Sequence, residues 1–178
     1  HEDGWRDDAS LDRLVLQTRL DGEIGETDWS LRLSGVDLEQ ETATFVGGFE
    51  AYKDEAASRR NADPEAFRNA YALRAALHLN RPLTETLSAQ AALFARSNDM
   101  QFRMHFLPSE ALETSGHDSV GFQSALVWTL EDSVFRLGLD TDFTDGALRE
   151  FQTRPTVGPF VQGLHYDYTV QSRTVAAF

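Results

Sequence analysis

Apolar and polar residues alternate with a period of two along most of this chain. In "YALRAALHLNRPLTETLSAQAALFARS", residues 71–97, Leu73, Ala75, Leu77 and Leu79 alternate with Arg74, Ala76, His78 and Asn80. After the break at residues 81–86, a second alternation runs through Leu87, Ala89, Ala91 and Leu93. A period of two is that of a strand with one apolar face. The same pattern recurs at about 13–20 (Leu14, Leu16, Thr18, Leu20), 29–38 (Trp29, Leu31, Leu33) and 119–130 (Val120, Phe122, Ser124, Leu126, Trp128, Leu130). It returns at 135–142 (Phe135, Leu137, Leu139, Thr141) and at 166–178 (Tyr166, Tyr168, Val170). Seven strands are predicted, with Tyr166 and Tyr168 on the apolar face of the last.

The connections alternate too. Brief turns, such as Glu131-Asp132-Ser133, follow the first, third and fifth strands, while long polar stretches at about 39–70, 98–118 and 143–165 follow the second, fourth and sixth. An antiparallel meander with this rhythm collects its short turns at one end and its long loops at the other. Long structureless loops are uncommon in compact domains, but in phase they are the mark of a transmembrane β-barrel. The predicted fold is therefore all-β: an up-and-down meander of about seven long strands, open rather than closed, within a larger barrel. One stretch competes. "ADPEAFRNAYALRAAL" offers Asp63 as N-cap, Pro64 at the first helical position and Glu65 in the first turn, which predicts a short helical turn over 64–70 before the strand.

Alternation alone does not say which side is wet, since a soluble sandwich shows the same pattern. Three features favour the membrane. The segments reach 10 to 12 residues, longer than the usual five or six. Trp29, Trp128, Tyr166 and Tyr168 sit near segment ends, as aromatic girdles do. Seven strands also leave two unpaired edges. No run of 18 apolar residues exists and the mean hydropathy is −0.40, which excludes a membrane-spanning helix but not a spanning strand.

Charge removes other classes. With 29 acidic and 16 basic residues, the formal net charge is −13, against nucleic acid as a partner. Lys53 is the one lysine, so the cations are mainly arginines, suited to fixed hydrogen-bonded positions. There is no cysteine, hence no disulfide and no thiolate chemistry. The chain opens on His1 and closes on Phe178 within an alternation, and it reads as an internal piece of a longer chain, without signal peptide or transit pattern.

Several stretches resemble the barrel region of TonB-dependent outer-membrane receptors: "HEDGWRDDASLDRLVLQTRL", "LEQETATFVGGFEAYKD", "NADPEAFRNAYALRAAL", "MQFRMHFLPSEALETSGHDSVGFQ", "LGLDTDFTDGALREFQTRP" and "GLHYDYTVQSRTVAAF". The resemblance implies an outer-membrane barrel of about 22 strands with a plug in its lumen. It also implies an extracellular small-molecule ligand, such as a ferric siderophore or another iron chelate, and energy from TonB through a region missing from this chain. Neither plug nor TonB box is present in these residues.

The chemistry-bearing residues point the same way. Arg32, Arg74, Arg96, Arg136, Asp140 and Arg173 project opposite the apolar positions and are expected to face a barrel lumen. Arg103, His105, His117 and His165, on the long loops, are the candidate ligand contacts; ordinary solvated or hydrogen-bonded loop residues are the plainer account of them. No His-x-x-x-His or His-Glu-x-x-His pair, Gly-x-Ser-x-Gly elbow or Gly-x-x-x-x-Gly-Lys-[Ser/Thr] loop occurs, so no enzyme, metal or cofactor is expected. "DTDFTDG" puts Asp140, Asp142 and Asp145 close together, without the closing glutamate of a calcium loop. The competing reading is a soluble β-domain that binds or hydrolyses carbohydrate through such carboxylates.

Overall fold

The computed structural model describes residues 1–103 and 107–178. Seven strands form one antiparallel sheet in chain order: β1 (Leu11–Ile24), β2 (Thr27–Glu41), β3 (Phe67–Pro82), β4 (Leu87–Arg103), β5 (Leu112–Thr129), β6 (Val134–Gln152) and β7 (Gly163–Ala177). The outer strands β1 and β7 do not pair with each other, so the sheet is open. The only helices among the described residues are a 3-10 turn, Ala51–Lys53, and α1, Glu55–Arg59. None is long and apolar enough to cross a membrane.

The strands run 14 to 19 residues, well beyond the apolar alternation. At about 3.4 Å per residue the longest spans roughly 65 Å, where a bilayer needs only about 9–11 residues. The surplus lies at the loop end, where β2 continues through Glu39 and Glu41, and β6 through Asp145, Arg149 and Glu150. Polar residues there hide the period while the ladder continues, which is why the sequence assigned these stretches to loops.

The helical turn expected over 64–70 is not there. Helix α1 lies earlier, capped by Asp54, whose carboxylate accepts from the Ala57 amide at 3.0 Å. Asp63 and Pro64 instead make a turn closed by Ala66 N to Asp63 O at 3.0 Å. Phe67 then pairs with Glu41 and the ladder runs unbroken from there. The capping signals were real, but fourteen paired positions against β2 outweigh one turn of helix.

Cross-strand partners share a face, so the register assigns every side chain. One face, the leucine face, carries Leu14, Leu16 and Leu20 of β1, Leu31 and Leu33 of β2, Leu73 and Leu77 of β3, and Leu93 of β4. It continues through Val120 and Phe122 of β5 and Leu137, Leu139 and Phe143 of β6. Trp29 and Trp128 border it at the short-turn end. Nothing among the described residues covers it: Leu14 is 71% exposed, Leu137 60% and Val120 57%. The buried apolar residues are Ala66, Ala92, Ala111 and Val127, none of them large. A soluble domain closes its core with a second layer; here there is one layer.

Strand β7 departs from expectation. Phe151 pairs with Leu164 and Glu150 with Tyr166, leaving His165 as an extra residue, a bulge. The shift puts Tyr166, Tyr168 and Val170 on the face opposite the leucines, and Asp167, Thr169, Gln171 and Arg173 on the leucine side. A one-residue slip exchanges the faces of a whole strand, and the alternation read from sequence is blind to it.

Candidate functional site

The second face, the arginine face, holds the polar side chains. Arg32 pairs with Arg19 and Ala76, Arg74 with Ser34 and Arg96, and Arg136 with Val127, while Asp140 pairs with Gln123. These five expected residues share one face. Arg173 does not: it pairs with Phe143 on the leucine side, for the register reason just given.

Arginines directly opposite each other repel, and local partners offset this. Arg96 Nη2 donates to Asp142 Oδ2 at 2.6 Å. The Thr144 hydroxyl lies 2.8 Å from Asp142 Oδ1 and 3.0 Å from Ser119 Oγ, so the network links β4, β5 and β6 over the buried Ser119. Arg136 Nη2 donates to Gln90 Oε1 at 2.9 Å, and Arg19 Nε to Asp21 at 2.9 Å. Toward the short turns an open groove of about 760 Å³ runs across this face from β1 to β6, lined by Arg19, Asp21, Ser30, His78, Gln90 and Asp140 among others. The arginine face thus carries an open groove whose lining mixes charged, polar and apolar side chains.

The acidic run of β6 is divided. Asp140 and Asp142 lie on the arginine face, while Asp145 lies opposite, paired with Asp118 and Gln171. The three carboxylates do not form one ligand set, and no group of three or more His, Asp or Glu able to hold a metal occurs among the described residues.

Of the candidate ligand contacts, Arg103, His117 and His165 are not brought together. His105 lies outside the described residues. Arg103 ends β4, opposite Leu112. His117 belongs to β5 rather than to a loop and sits on the arginine face between Asn98 and Gly146. His165 forms the bulge, with Nδ1 2.7 Å from Glu150 Oε1 and Nε2 2.7 Å from the Val161 carbonyl. Its two nitrogens are both engaged, and its partner Glu150 lies four residues beyond Gly146 along β6, about 14 Å away.

What the sequence did not single out is a cluster where the long loops meet. Arg154, in the β6–β7 loop, forms ion pairs with Glu65 of the β2–β3 loop and with Glu110 of the β4–β5 loop. Gln152, wholly buried, shapes the segment carrying Arg154: its Nε2 lies 3.2 Å from the Arg154 carbonyl, 3.0 Å from Pro155 O and 3.4 Å from Phe160 O. Ala66, Ser109 and Ala111, adjoining the two glutamates, are also buried. The segment preceding β1 joins in. Arg6 donates to the carbonyls of Thr44 and Arg60, and Asn61 Nδ2 donates to Asp8 O at 2.9 Å. Residues 65, 110 and 154 have no spacing that marks them in sequence; only the meander brings them to one end.

No protein-family profile matches this chain, and no curated protein does. A solved structure does: the ferric citrate transporter FecA in its unliganded form, with a TM-score of 0.64 and 12% sequence identity. The match covers 97% of this chain and 27% of that one. At this identity the likeness is one of fold. The present sheet has the architecture of part of that transporter, and this chain spans about a quarter of its length.

Proposed function

We propose that the chain is a segment of the wall of an outer-membrane β-barrel belonging to a TonB-dependent receptor, which takes up a scarce nutrient such as a ferric siderophore. The observation that carries this is the uncovered leucine face. A band of Leu, Val, Phe and Trp crosses six strands with no second layer over it among the described residues, while the opposite face carries arginines, acids and amides around an open groove. Lipid on one side and water on the other satisfy both faces, and the likeness to a transporter's fold supports the same reading.

Under this reading Arg32, Arg74, Arg96, Arg136 and Asp140 line the lumen. His117 and the loops at its end of the sheet meet an extracellular ligand, and TonB engages a part of the protein outside this chain. A soluble carbohydrate-binding or hydrolysing domain would require a dry cover over the leucines and one converging carboxylate set, and the described residues supply neither. The test is fractionation of the protein expressed with its whole gene and own signal. Recovery in the outer membrane as a heat-modifiable species is expected; recovery as a soluble monomer sinks the reading.

A further inference from the structure

We propose that Arg32 and Arg74 form a binding site for a small, doubly charged oxyanion on the arginine face, with Arg19 and Arg96 as its outer walls. The register brings four arginines together on four consecutive strands. Arg19 of β1 is directly opposite Arg32 of β2, and Arg74 of β3 is directly opposite Arg96 of β4. Ser34, two residues beyond Arg32 along β2, pairs with Arg74, so Arg32 and Arg74 are diagonal neighbours and the four arginines make one unbroken line. The chain as a whole has a formal net charge of −13. Two like-charged pairs side by side stand out against that background, because each pair destabilises the sheet that holds it.

The acids decide which arginines are available. Arg19 is engaged by Asp21 at 2.9 Å and Arg96 by Asp142 at 2.6 Å. Arg32 and Arg74 are both exposed, and neither forms a hydrogen bond or an ion pair among the described residues. The register neighbours of Arg74 on this face are Ser34, Arg96, Ala72 and Ala76. The row toward the loop end carries Val15, Val36 and Ala72 over β1 to β3, so no carboxylate stands there either. Four guanidinium charges against two carboxylates leave an excess of two positive charges.

That excess sets the ligand class. The guanidinium fork matches two oxygens of a carboxylate or a phosphate. Diagonal neighbours stand about 7–8 Å apart, and one oxyanion fits between two guanidiniums at that spacing, each donating over about 2.8 Å. The Ser34 hydroxyl, beside both arginines, adds a neutral donor. A monoanion leaves the line charged, whereas a dianion balances it. The open groove begins at the next row toward the short turns, where Arg19 and Ser30 line it, and gives a small anion its way in. The site rests on register and charge alone, and holds whether lipid or water meets the leucine face.

Titration calorimetry on the purified full-length protein in chloride-free buffer, with sulfate and malonate as probes, tests the site. Saturable binding is expected. Binding of sulfate alone assigns the site to phosphate-like tetrahedral anions, binding of malonate alone to dicarboxylates, and binding of both to their shared dianionic chemistry. Arg32→Gln and Arg74→Gln should each weaken binding by roughly tenfold or more, the loss of a charge-assisted fork. Arg13→Gln removes the same charge from the same face but lies beside Leu38, clear of the line, and should leave affinity within about twofold. Melting curves separate a binding role from a structural one. Without added anion, Arg74→Gln should melt above the native protein, because one like-charged pair is relieved. The bound anion should raise the native melting temperature and leave that of the Arg32→Gln, Arg74→Gln double variant unmoved. Absence of saturable binding by both probes, equal weakening by Arg13→Gln, or a lower anion-free melting temperature in Arg74→Gln overturns the proposal.

Discussion

The two faces of the sheet are made from the same strands, yet they solve opposite problems. Among the described residues no second layer covers the leucine face; on the arginine face three of the arginines have local partners, Arg96 with Asp142, Arg136 with Gln90 and Arg19 with Asp21. A soluble protein buries its apolar face and wets its polar one. Here the apolar face has no layer over it among the described residues, and polar residues line the groove on the other face. The comparison shows that an alternating pattern defines two surfaces without saying what each one meets. That is decided by whether anything packs against them.

The largest effect that would test this difference is Leu137→Arg. Leu137 lies within the apolar band and is 60% exposed, so in lipid the charge should cost about 2–4 kcal/mol, measured by reversible unfolding in bilayers. The matched change on the other face, Gln123→Arg beside Asp140, should be near neutral. Equal, small effects at both positions would mean that both faces are wet. Next in size is Gln152→Ala at the loop end. Leaving the carbonyls of Arg154, Pro155 and Phe160 without their buried donor should cost about 1–3 kcal/mol. It should appear as faster amide exchange in residues 153–162 with the strands unaffected.

Asp142→Asn sharpens the picture of the arginine face. The pair with Arg96 is more than a third exposed on the arginine side, so only about 0.2–1 kcal/mol is expected, with Arg96 more mobile by spin labelling or NMR. The smallest change is Arg173→Leu. On the leucine side, opposite Phe143, it should leave stability within about 0.5 kcal/mol of the native value. A larger loss would put Arg173 in the polar network and the β7 register in error.

Legibility varied along the chain for identifiable reasons. Strands β3 to β6 announced themselves wherever leucine or phenylalanine alternated with polar residues, and the phase of each was right. Their loop-end halves were missed because Asp99, Gln101, Thr114 and Arg149 carry no hydrophobic period even though each is paired. The helix expected at 64–70 was misplaced because capping residues act locally, whereas Phe67 onward is held by a neighbouring strand. Five of the six polar-face residues were legible from alternation; Arg173 was not, because the bulge at His165 shifts the phase from outside the strand's own pattern. The histidines were visible as residue types, but His117 proved to be a strand residue and His165 a bulge tied to Glu150.

What the sequence determined by itself was the period of two, the rhythm of short and long connections, and hence an antiparallel meander with its loops at one end. Those follow from side-chain spacing, which is a local property. Only the tertiary structure decided three matters: that the apolar face stays uncovered, that β7 turns its tyrosines toward the arginine side, and that Glu65, Glu110 and Arg154 meet. Each depends on the register between strands distant in sequence, fixed by the sum of ladder hydrogen bonds and one extra residue rather than by any neighbour along the chain.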